Sequence, residues 1–133
     1  MKKIIILAFF ASSVFANTLT KQEESKVVTE IDNICGDTWC EGDFNFRFDT
    51  LKCNAETNSC VLDFVILDEV WGNDDSYTAT EYAATCEIKG YTKYDQMIEV
   101  SRNGWPRLNQ DFYFAVTDCV TEQEEVVYDK LGY

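Results

Sequence analysis

The segment Gly36-Asp37-Thr38-Trp39-Cys40-Glu41-Gly42-Asp43 follows Cys35 and sets one tryptophan among three acids and two glycines. Glycoside hydrolysis needs only two carboxyl groups at a set separation, and Glu41 with Asp43 could supply them from a loop that a disulfide holds rigid. With 24 acids in 133 residues some close pair arises by chance, and the segment reads equally as a pinned turn with Trp39 over a helix end. A second cluster joins Asp68-Glu69 to Asn73-Asp74-Asp75-Ser76. Calcium takes roughly six to eight oxygen ligands, which clustered loop acids can provide. The EF-hand spacing fits no register here, so calcium rests on composition alone, against the plainer reading of a solvated hairpin loop. Trp39, Trp71 and Trp105 each fall near a loop or turn. Tryptophans amid acids anchor a partner's apolar and cationic groups through burial and cation–π contact. They could also stack on sugars or cap the ends of the core. The candidate partner-binding residues are therefore Trp39, Glu41, Asp43, Trp71, Asp74, Asp75 and Trp105.

Other chemistry is excluded by what the chain lacks. It contains no histidine, so Ser-His-Asp and Cys-His hydrolysis lose their base and histidine-ligated zinc is ruled out. None of the six cysteines forms a C-x-x-C pair, which argues against both a cysteine-only zinc site and a dithiol redox motif. Disulfide staples remain, with fifteen possible pairings. Cys53 and Cys60 flank a polar turn, Cys86 and Cys119 sit on what read as two strands, and Cys35 with Cys40 could close a loop at a helix exit. In the chain-entropy account each short loop is worth about 2–2.5 kcal/mol and the long one just under about 4 kcal/mol.

The cysteines suit an oxidising compartment, and the first residues point to one. Met1-Lys2-Lys3, the apolar run Ile4–Phe10 and the ending Val14-Phe15-Ala16 lay out a secretory signal peptide cleaved after Ala16. That run is too short to cross a membrane, which takes about 20 residues. A periplasmic or secreted domain of residues 17–133 is expected, without membrane insertion after cleavage. Removing the leader takes Lys2 and Lys3 from 11 bases and none of the 24 acids, leaving a charge of −15. That field repels nucleic acid and anionic headgroups and attracts cations, cationic peptides and basic proteins. It also simply keeps an exported protein soluble.

The patterning that must position these groups is mixed. Thr20 and Glu23 form a capping box, and Val27, Val28, Ile31 and Ile34 recur at helical spacing, predicting a helix over 21–35 with Gly36 after its end. Phe44, Phe46 and Phe48 alternate with Asn45, Arg47 and Asp49, predicting a strand over 43–53 that slips near Thr50-Leu51. A polar loop over 54–59 and a strand over 61–67 complete a hairpin. A third strand is expected over 77–88. Residues 94–100 lean to strand, and 103–106 form a turn. Phe112, Phe114 and Val116 alternate with Tyr113, Ala115 and Thr117, predicting a last strand over 111–120. Thr121 and Glu124 then open a short helix with Val127, Tyr128 and Leu131 inward. The expected fold is α+β: an N-terminal helix on a curved antiparallel sheet of four to five strands, a short C-terminal helix, and disulfide staples. A β-sandwich or small barrel with a leading helix is the alternative.

The function expected is a small, acidic, exported binding protein that captures or inhibits a cationic protein, for instance a basic cell-wall hydrolase. Its competitors are a carboxylate-dependent glycan hydrolase of the envelope using Glu41 and Asp43, and a calcium-stabilised structural envelope protein.

Overall fold

The structure, a computed structural model, describes residues 18–35 and 44–132. The expected leader and the candidates Trp39, Cys40, Glu41 and Asp43 lie outside the described residues. The first described helix, α1 (Lys21–Ile34), opens at Thr20, whose hydroxyl accepts from the Glu23 amide at 3.1 Å while the Glu23 carboxylate accepts from the Thr20 amide at 2.9 Å. Two orphan donors of the first turn are thereby satisfied. Val27 and Ile31, four apart, are fully buried. The helix starts twenty residues into the chain, so it is an internal element and not an N-terminal one.

Three strands form one antiparallel sheet in the order β1 (Asn45–Asn54), β2 (Ser59–Trp71), β3 (Tyr77–Lys89). The register shifts between Phe48 and Thr50, leaving Asp49 as an extra residue. Without that bulge, period-two alternation would send Thr50 inward; with it, Leu51 and Cys53 turn inward and are buried. The inner face is Phe48, Leu51 and Cys53 on β1, Leu62, Phe64 and Ile66 on β2, and Cys86 and Ile88 on β3, all buried. The Phe48 and Phe64 rings lie 5.6 Å apart across paired residues.

After β3 the structure departs from expectation. Tyr94–Met97 is one helical turn (α2), because the Gln96 side-chain oxygen accepts from the Thr92 and Lys93 amides, each at 3.0 Å. Then β4 (Ile98–Val100) and β5 (Pro106–Leu108) pair as a separate two-stranded sheet. Among the described residues the main sheet therefore has three strands, not four or five.

The larger correction is α3, a helix of 22 residues over Gln110–Leu131. It replaces both the expected strand over 111–120 and the expected short helix, and Thr121 lies inside it instead of capping its start. Asn109 is the cap: its side-chain oxygen accepts from the Asp111 amide at 3.0 Å and the Phe112 amide at 3.2 Å. Phe112, Val116 and Val120, spaced by four, and Val127, seven further on, are buried on one stripe. Phe114, which alternation would place beside Phe112, is 51 % exposed. Gly132 ends the helix at φ +82°, in the left-handed region that a side chain disfavours.

Cys53–Cys60 closes the β1–β2 turn with Cα atoms 4.0 Å apart. Cys86–Cys119 ties β3 to α3, with Cα atoms 5.8 Å apart. The second pairing is as expected, but Cys119 comes from a helix and not from a neighbouring strand. Cys35 is disulfide-bonded. Among the described residues no helix is long and apolar enough to cross a membrane.

Candidate functional site

Of the described candidates, Trp71, Asp74 and Asp75 share one hairpin end, whereas Trp105 lies on the separate β4–β5 hairpin. The shared end is a projection. Pairing of β1 with β2 stops at Asn45 opposite Leu67, while β2 and β3 stay in register to Trp71 opposite Tyr77. Residues 68–71 and 77–80 thus run on as a two-stranded arm of about 13 Å.

On one face of the arm, alternation stacks Glu69 and Trp71 beside Ala79 and Tyr77. The Trp71 and Tyr77 rings meet at 4.9 Å with a 50° tilt. Neither is covered: Trp71 is 71 % exposed and Tyr77 47 %. Behind them, the Glu69 carboxylate accepts from the Tyr77 hydroxyl and from the Asn45 side-chain amide. The Tyr77 bond, then the Asn45 bond, hold Glu69 below the usual carboxylate range, and the same contact with Glu69 pushes the Tyr77 phenol up. The Tyr77 ring is thereby held by a carboxylate whose ionised form is favoured, and Trp71 packs against that ring.

The linking loop is equally constrained. The Gly72 amide donates to the Ser76 carbonyl at 2.7 Å and the Asp75 amide to the Gly72 carbonyl at 3.2 Å, with Asp75 at φ +64°. A Cβ at Gly72 would collide with the Ser76 hydroxyl and come within 2.9 Å of Asp74 Oδ1, so a side chain there would have to displace both groups. The Asp74 carboxylate accepts from the Ser76 hydroxyl and amide, which hold it below its ordinary range.

Charge follows the same element. From Val61 to Ile88 the chain has seven acids and no lysine or arginine. One base approaches from β1: Arg47 reaches Asp49 and Glu81, each at 3.2 Å. Acidity is not confined to this stretch: α3 carries six acids and one lysine. Glu99 and Arg107 pair at 2.8 Å on the Trp105 hairpin, and Lys52 pairs with Glu24 at 3.2 Å in a cleft of about 260 Å³ between α1 and β1. Trp105 is as exposed as Trp71 but sits on a hairpin with one acid, Glu99, and two bases, Arg102 and Arg107. Among the described residues no three acids or cysteines converge as a metal cage would require.

Residue-type reasoning missed Tyr77, and Glu69 counted only as a loop acid. A signal was present: a five-residue loop over 72–76 between two strands sets 71 opposite 77. A direct check follows from the hydrogen bonds. Tyr77→Phe removes the hydroxyl, so the Glu69 carboxyl, followed by NMR through acid titration, moves up toward the ordinary glutamate range. The sign is that of a depressed acid. The contact stabilises the folded state at neutral pH and is lost as pH falls through the lowered Glu69 value. An unmoved titration would remove the assigned cause.

Comparison of this chain with protein-family models, with curated proteins and with solved structures gives no match.

Proposed function

We propose that this is an exported, non-enzymatic binding protein whose acidic β2–β3 arm captures a cationic protein or peptide. The observation behind this reading is the Trp71–Tyr77 pair, exposed, buttressed by Glu69, and set in a stretch with acids and no bases. Exposed aromatic area costs solvation unless a partner covers it, and a partner's lysine or arginine would find both ring faces and carboxylates there. The disulfides are compatible with the oxidising compartment that an exported protein meets. A basic cell-wall hydrolase is a concrete instance of such a partner.

The test is association of the oxidised protein with a basic muramidase and with a lysine-rich peptide, at low and at high salt. Exposed charges are screened over about 10 Å at 0.1 M salt, so association should slow steeply as salt rises. The double variant Asp74→Asn/Asp75→Asn should slow it at low salt and flatten the salt dependence. Binding that ignores both salt and these substitutions would contradict charge-led capture.

A further inference from the structure

Among the described residues no strand pairs with the second edge of β3. Tyr77 to Glu81 are all exposed, while the other half of the strand is tied to α3 by Cys86–Cys119. Proteins usually blunt such an edge with lysine, proline, a bulge or a cover. This one has no lysine, arginine, proline or glycine from Tyr77 to Ile88, and its register with β2 is unbroken over thirteen residues.

The loop fixes which backbone groups are free. Gly72 donates to Ser76 at 2.7 Å, and the two are opposite one another in the same register as Trp71 and Tyr77. Bonded and non-bonded pairs alternate along an antiparallel ladder. Thr78, Thr80 and Tyr82 therefore bond to β2, and Tyr77, Ala79, Glu81 and Ala83 turn their N–H and C=O groups out to the free edge. An unpaired ladder of this kind is a template for another strand.

We infer that this edge receives an extended, lysine- or arginine-bearing segment of a partner as an added strand; this rests on the capture reading above and specifies its mode. Charge selects the occupant. Arg47 already engages Glu81, and among the described residues no base pairs with Asp68, Glu69, Asp74 or Asp75, so their charges face the partner's cations. Backbone bonds would supply affinity, and the Trp71–Tyr77 pair at the head of the strand would take one cationic side chain against its rings. Two copies of this chain pairing edge to edge would bring the same acids against one another, which disfavours self-association.

The experiment uses the oxidised, isotopically labelled protein and two probes of equal charge. One octapeptide alternates lysine with valine; the other alternates lysine with proline and cannot extend a sheet. The lysine–valine peptide should bind at least about tenfold tighter, the worth of one or two backbone bonds. It should slow amide exchange at Tyr77, Ala79, Glu81 and Ala83 and leave Thr78 and Thr80, already bonded, unchanged. Ala79→Pro deletes one outward N–H and should weaken the lysine–valine peptide about tenfold without affecting the lysine–proline peptide. Equal binding of the two peptides overturns strand addition while cationic capture stands. Tighter binding without protection of the four outward amides overturns it as well. Binding of neither peptide overturns both. The exchange measurement on the unsubstituted protein decides the matter even if Ala79→Pro does not fold.

Discussion

Phe112→Ala should destabilise the oxidised protein by about 3–5 kcal/mol, and Phe114→Ala by less than about 1 kcal/mol. The two aromatics are two residues apart, and a strand would bury both or expose both. In the helix they part: Phe112 is fully buried, with its ring 5.8 Å from that of Tyr91, and Phe114 is half exposed. Truncating Phe112 leaves a cavity among Val116, Met97 and the rest of the core, which close packing cannot fill. Domains of this kind unfold with about 5–15 kcal/mol, so the loss consumes a large share of the total. Urea unfolding with an unchanged slope is the appropriate readout. Similar losses for both variants would mean that α3 is not a helix at this point.

Trp71→Ala should weaken binding of a basic muramidase by about 2 kcal/mol or more, roughly thirtyfold. Stability should change by less than about 0.5 kcal/mol, because the ring is largely exposed and its removal opens no cavity. Trp105→Ala supplies the contrast. That ring is equally exposed, but its hairpin carries Arg102 and Arg107 against the single acid Glu99. It should cost little binding. Calorimetry on the two variants at low salt separates a specific anchor from general stickiness; equal losses would contradict the assignment to the arm.

Two periodicities overlap in α3. Phe112, Phe114 and Val116 satisfy a period of two, while Phe112, Val116 and Val120 satisfy a period of four. Aromatic and β-branched residues favour strands, which tipped the balance locally. The deciding signals were Asn109 as a cap and the absence of any glycine or proline between Phe112 and Leu131. The first hairpin was legible because its signals agree. Alternating phenylalanines, a polar turn and cysteines on either side of it all call for the same pairing. The bulge was legible too, since only one extra residue lets Phe48 and Leu51 share a face. At the site, Trp71, Asp74 and Asp75 could be grouped as a loop. The length of the arm could not. Asp68 and Glu69 are poor strand formers, and what holds Glu69 in β2 is a tertiary set of bonds from Tyr77 and Asn45. Tyr77 is eight residues away across the hairpin, and Asn45 is 24 residues away on β1.

On the proposed function, the β2–β3 arm is the surface that meets a cationic partner. The most direct test is a backbone NMR titration of the oxidised protein with a basic muramidase at low salt, repeated at high salt. The expected result is a set of shifts centred on Glu69–Glu81, including the Trp71 indole, which fades as salt rises. Shifts centred on the Trp105 hairpin or on α3, or none at all with a partner of that charge, would contradict it.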